Sequence, residues 1–136
     1  MIHRHLLIVG SLLLTMAAHS PSKDFTDLYS VLLVRATIFN GISEQTDSTP
    51  LITASGFYLK DSTNAYRYRI IAVSRDLYDS GLKFGTRILI TGTKKYNGVW
   101  TVHDLMNKRY KSRIDLLVNK GMKAPREDEF KIFVLK

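Results

Sequence analysis

Apolar and polar positions along this chain fall into short runs broken by turn residues, and hardly anywhere into the three-to-four-residue spacing of an amphipathic helix. VLLVRATIF, Val31 to Phe39, is β-branched and apolar and stops at Asn40-Gly41, so it predicts a first strand. LITASGFYLK, residues 51–60, has strand composition but is interrupted at Ser55-Gly56, where a glycine marks a bulge or a close approach of the backbone. YRYRIIAVS (66–74) starts with alternating aromatic and basic residues and ends in a continuous apolar run, as a strand entering a core does. TRILITG (86–92), the runs 99–102 and 113–118, and FKIFVLK (130–136) complete the strand-like segments.

The connections are polar. SEQTDSTP (43–50) has no apolar face, DSTNA (61–65) is a turn, and RDLYDSGLKFG (75–85) has room for one helical turn. TKKYNG ends in Asn97-Gly98, a strong hairpin signal, while MNKRYKS (106–112) and NKGMKAPREDE (119–129) read as loops. Residues 21–30 are a polar linker in which Ser22 or Asp24 can cap a short helix. Six to seven short strands without a long helix predict a small all-β barrel.

The first 22 residues change the picture of what folds. Arg4, flanked by His3 and His5, precedes an apolar stretch from Leu6 to about Ala18. That stretch is shorter than the roughly 20 residues that span a bilayer, and small residues follow it, so it reads as an export signal. Pro21 disfavours cutting after Ser20, which leaves cleavage near Ser22 or an uncleaved anchor as the alternatives. The remaining 114 of the 136 residues suit one domain with a single modest core. With no cysteine, an exported domain of this size has neither a disulfide nor a lipid attachment point to rely on.

Of the 20 basic residues only Arg4 lies in the leader, so the rest of the chain carries 19 against 12 acidic residues. A basic exported protein invites an anionic partner, with acidic cell-wall polymer, lipid head groups and nucleic acid as the options; the same surface also serves solubility alone. Several chemistries are set aside: there is no phosphate-loop glycine pattern, no cysteine–histidine cluster for zinc and no GxSxG elbow. His103 is the one histidine beyond the first 19 residues, which speaks against a metal centre or a Ser-His-Asp triad.

The chemistry then rests on two carboxylates. Asp104 and Asp115, eleven residues apart, each end an apolar β-rich run, and both can reach one groove if the two runs enter the same barrel. Aspartates in such places also bind backbone amides in turns, and the two readings stay open on composition alone.

Several pieces occur in one order: TIF at 37–39, TASG at 53–56, IIAVS at 70–74, LKFGTRILITG at 82–92, VHD at 102–104 and RIDLL at 113–117. Together they resemble the three-aspartate double-psi β-barrel of murein lytic transglycosylase A and stationary-phase survival proteins, and more distantly rare lipoprotein A and expansin-like barrels. The resemblance covers roughly residues 34–136 and implies an all-β, six-stranded double-psi barrel with at most short helices, preceded by a leader (1–22) and a lead-in (23–33). Asp115 matches the family's last aspartate and Asp104 the one before it. Two positions depart: Ser74 stands where the first family aspartate falls, with Asp76 two residues on, and LMNKRYKS replaces the glycine-rich loop after Asp104.

What the resemblance implies is an exported peptidoglycan-active protein, a lytic transglycosylase that cleaves the MurNAc-GlcNAc bond with Asp115 as acid and then base and Asp104 in support. The alternative on the same barrel is a noncatalytic cell-wall glycan-binding module. A secreted nucleic-acid binder, resting on charge and interleaved aromatics only, is a third reading. Thr53, Ser55, Gly56, His103, Asn107 and Arg113 are the expected glycan contacts. Tyr66, Tyr68, Tyr96, Trp100 and Tyr110 are candidate stacking platforms, with core packing favoured for Trp100. Arg67, Arg69, Lys108, Arg109 and Lys111 can also meet substrate carboxylates. The expected partner is peptidoglycan, with no metal, cofactor, nucleic acid or membrane beyond the leader, and the expected state is a monomer in the periplasm or cell wall of a bacterium.

Overall fold

The computed structural model describes residues 28–40, 51–125 and 129–136; the predicted leader, the start of the lead-in and the predicted loop 43–50 lie outside the described residues. Six strands appear among them: β1 (Tyr29–Phe39), β2 (Ile70–Val73), β3 (Arg87–Ile90), β4 (Gly98–Leu105), β5 (Arg113–Leu117) and β6 (Glu129–Leu135). They close into a barrel in the order β1-β5-β2-β4-β3-β6. Two pairs, β1–β5 and β2–β4, are parallel and the other four contacts antiparallel. The protein is a small all-β barrel, and among the described residues its helices are a single five-residue turn, α1 (Arg75–Asp79), and a 3₁₀ helix (Ser62–Tyr68).

The period-two pattern of the strands explains the closure. Val34 and Ala36, Ile71 and Val73, Ile88 and Ile90, and Ile114 and Leu116 all enter one core with Ile132. Their intervening neighbours face outward, as successive side chains of a strand must. Trp100 is fully buried in this core and donates its Nε1–H to Tyr96 O at 2.8 Å, so its one polar atom is satisfied. Burial of each such large side chain contributes on the order of 2–3 kcal/mol, which is what a domain without disulfides must rely on.

Two runs fold differently from the strand reading. In residues 66–74 the barrel strand covers only Ile70–Val73, and the Tyr-Arg-Tyr alternation before it belongs to the 3₁₀ helix. Asp61 caps that helix by accepting from the Thr63 and Asn64 amides, and Arg69 ends it in the left-handed region at φ 52°. Its guanidinium lies 4.3 Å from the Tyr66 ring centroid and 5.0 Å from that of Trp100, contacts that offset the backbone strain. In residues 51–60 a small hairpin replaces the expected barrel strand, tied by an Ile52–Tyr58 bridge and by Leu59 N to Leu51 O at 2.8 Å. It lies on the outside of the wall, where Leu59, Ala65, Ile70 and Leu117 form a second apolar cluster with Phe57 and Tyr68 against it. That cluster fixes the hairpin beside the outer face of β2 and β5.

Candidate functional site

The strand register sets four residues in one row. Thr37 of β1 pairs with Asp115 of β5, Asp115 with Ala72 of β2, and Ala72 with Asp104 of β4. Since Val34, Ala36, Ile71, Val73, Ile114 and Leu116 point inward, this row lies on the outer face. The two aspartates are therefore separated by one strand, or about 9–10 Å between their Cα atoms, and the residue between them is an alanine. Its methyl group, only 4 % exposed, puts little bulk between the two carboxyls.

Asp104 reaches this face through a break in alternation. Trp100 and Val102 of β4 point inward, and strict alternation would send residue 104 inward as well. The β2–β4 register instead shifts between Ile71 and Ala72, passing from Val102 to Asp104 and leaving His103 as an extra residue. Such a bulge re-aims the side chain that follows it. Of the two alternatives for Ser55-Gly56, a bulge or a close backbone approach, the structure shows the second: Gly56 occupies a turn at φ 84° where the hairpin backbone comes against the β4 bulge. The bulge's carbonyl is answered by the hairpin: Ser55 N donates to His103 O at 3.0 Å.

Two further bonds join the hairpin to the bulge, and a third braces the hairpin itself. Ser55 Oγ and His103 Nδ1 are 2.9 Å apart, Thr53 Oγ1 and Ser55 Oγ 3.1 Å, and Ala54 N donates to Asp104 Oδ1 at 3.0 Å. Asp104 Oδ1 also accepts from Leu105 N at 2.9 Å. The His103 ring packs on Phe57 with centroids 4.9 Å apart, and burial lowers its pKa, which keeps the imidazole neutral at pH 7. Thr53, Ser55, Gly56 and His103, expected as glycan contacts, therefore come together at the Asp104 end of the row.

Asp115 is held differently. Thr37 Oγ1 donates to its Oδ1 at 2.8 Å. Its pKa is pushed from 3.8 up to about 6, chiefly because burial strips water from the charged form; the Thr37 hydrogen bond opposes this, the negative charge of Asp104 adds to it, and the positive charge of Arg113 again opposes. A carboxyl with such a pKa can give up and take back a proton near neutrality.

Ser74 is fully buried, and its Oγ accepts the Arg113 amide at 3.1 Å while its own amide donates to Arg113 O at 2.9 Å. Asp76 Oδ2 accepts the neighbouring Ser112 amide at 2.9 Å. Burial pushes the Asp76 carboxyl up, but the nearby Ser74 hydroxyl and the Ser112 amide together draw its pKa below the ordinary value. Its other oxygen is buried without a hydrogen bond of good geometry. Between them Ser74 and Asp76 receive two successive amides at the entry to β5, the strand that carries Asp115.

Comparisons with protein-family models, with curated proteins and with solved structures find no match.

The other expected contacts lie apart from the row or serve the fold. Asn107 is exposed and its Oδ1 accepts Arg109 N at 3.1 Å, shaping the loop after β4. Arg113 is two residues before Asp115 on the same face, with its guanidinium 5.1 Å from the Tyr110 ring centroid. Trp100 and Tyr96 are buried, so neither is a stacking platform. Tyr66 packs against the core and Tyr68 against the outer cluster. Sequence reasoning missed Thr37 and Ala72 as site residues, because a threonine and an alanine inside strands carry no signal until the non-local register is known.

Proposed function

We propose that this protein is an exported double-psi barrel that acts on peptidoglycan glycan strands as a lytic transglycosylase, with Asp115 as its acid and base. The observation that carries the reading is the Asp115 carboxyl, largely buried, bonded to Thr37 and facing Asp104 across Ala72 on the outer face of the barrel wall. The strand order, with its parallel β1–β5 and β2–β4 pairs, is compatible with a double-psi barrel. The ordered resemblance to three-aspartate barrels adds the substrate class.

In this mechanism protonated Asp115 donates to the glycosidic oxygen as the bond from the MurNAc C1 breaks. The resulting carboxylate then accepts the proton of the muramic 6-hydroxyl, whose oxygen bonds to C1 and closes a 1,6-anhydro ring. One carboxyl thus returns to its starting state with no added water. Asp104 keeps the Asp115 proton in place by its charge, and Thr53, Ser55 and His103 present hydroxyl and ring nitrogen groups to sugar hydroxyls.

The test is incubation of the purified chain with cell-wall sacculi and mass spectrometry of the soluble products. Anhydromuropeptides that disappear with Asp115→Ala support the reading; release of reducing-end products, or release that Asp115→Ala does not affect, sinks it. A second reading, a noncatalytic glycan-binding module on the same barrel, is favoured by Ser74 and Asp76, since the acid nearest the first family position is committed to the Ser112 amide. Pelleting with sacculi and no released product at any pH would select that module.

A further inference from the structure

We propose that a small cavity beside Asp115 is the docking site for a carboxylate carried by the bound glycan. This rests on the glycan reading above and deepens it by naming a charged group of the substrate. The cavity has a volume of about 260 Å³ and is lined by Leu33, Val34, Arg35, Lys111, Ser112 and Arg113. Three of these are cationic and none is acidic. That size lies below the roughly 300–1,000 Å³ of whole-ligand pockets, so the cavity takes a substituent of the sugar and not the ring itself.

Its position follows from the register that builds the catalytic row. Arg35 and Arg113 are paired across β1 and β5, two residues before the Thr37–Asp115 pair. Two residues along a strand return to the same face at roughly 7 Å, so a sugar at Asp115 can place a side group in the cavity. The wall is held rigidly. Arg35 N donates to Ser112 O at 3.1 Å, Ser112 N donates to Asp76 Oδ2 at 2.9 Å, and Ser112 sits in the left-handed region at φ 49°. A strained non-glycine residue kept in place by bonds on both sides marks a built feature. Arg113 Nε is buried with no hydrogen-bond partner among the described residues, and an acceptor oxygen entering the cavity would satisfy it.

A glycan strand of this class offers two carboxylates, that of the muramic lactyl group once the peptide is removed and those of the peptide stem. The full-length chain with Asp115→Asn, which prevents cleavage, is titrated with three soluble strands: peptide-bearing, amidase-stripped to leave lactyl carboxylates, and peptide-bearing with carboxylates chemically converted to carboxamides. Carboxylate-bearing strands are expected to bind about tenfold or more tightly than the amidated one, the worth of one charge-assisted hydrogen bond. Adding Lys111→Gln or Arg35→Gln removes most of that preference and leaves binding of the amidated strand unchanged. A preference kept by stripped strands assigns the lactyl group, and one confined to peptide-bearing strands assigns the stem. Equal affinity for carboxylate and carboxamide strands overturns the inference while the glycan reading stands, and so does a loss that Lys111→Gln inflicts on both alike. No binding to any strand overturns both.

Discussion

Thr37 Oγ1 donates to Asp115 Oδ1 at 2.8 Å across the parallel β1–β5 pair, joining residues 78 apart in the chain. The bond favours the ionised carboxylate, so it acts against the burial that raises the pKa to about 6. Thr37→Val keeps the shape and removes the donor, and the Asp115 pKa is expected to move further up. Carboxyl-carbon NMR titration checks this, and a downward shift would contradict it.

Asp104→Asn should do the reverse. Its negative charge is one of the causes that raise the Asp115 pKa, so neutralising it moves that pKa down. On the proposed mechanism the alkaline limb of glycan release, expected near pH 6, shifts to lower pH in Asp104→Asn and to higher pH in Thr37→Val. Opposite displacements of one limb are the result to look for; identical profiles in all three proteins would exclude Asp115 as the titrating acid.

The same carboxyl makes stability depend on pH. Its folded pKa lies above the unfolded 3.8, so the folded state holds the proton more tightly and stability falls as pH rises from about 4 through about 6. The loss amounts to at most about 3 kcal/mol at pH 7 and above. Asp115→Asn carries no such term. Denaturant unfolding should therefore show it more stable than the native chain at pH 8 by up to that amount, with the gap closing below pH 4.

Ser74 lies wholly inside the protein and its hydroxyl is the acceptor for the Arg113 amide. Ser74→Ala leaves that amide unanswered and is expected to cost about 1–3 kcal/mol in urea unfolding. A cost near zero would mean that the entry to β5 is secured by Asp76 alone.

Gly56, at φ 84°, has nothing within 4 Å of the position a Cβ would take. Gly56→Ala therefore carries only backbone strain, about 1–2 kcal/mol, and should leave Asp115 titrating as before. A larger loss in thermal unfolding would show that the hairpin cannot relax around the bulge.

The barrel was legible because its inward residues are β-branched or large at period two, as in Val34 and Ala36, Ile71 and Val73, and Ile88 and Ile90. The 3₁₀ helix was not, because Tyr66, Arg67 and Tyr68 alternate in the manner of a strand while the left-handed Arg69 that ends the helix is held by tertiary contacts with Asn97 and Trp100. Asp104 and Asp115 stood out as acids ending apolar runs. Their common row with Thr37 and Ala72 did not, since it depends on pairing strands distant in sequence. The cationic cavity combines Arg35 with Lys111 and Arg113 for the same reason, although only the last two stood among the expected carboxylate contacts.

The extra residue at His103 makes the site a matter of counting as much as of chemistry. Deleting that one position joins Asp104 directly to Val102, and plain alternation then keeps its carboxylate outward opposite Ala72, so what is lost is the imidazole bonded to Ser55 Oγ. The extra residue thus gives the outer face of β4 a histidine and an aspartate in succession, both within reach of one hairpin.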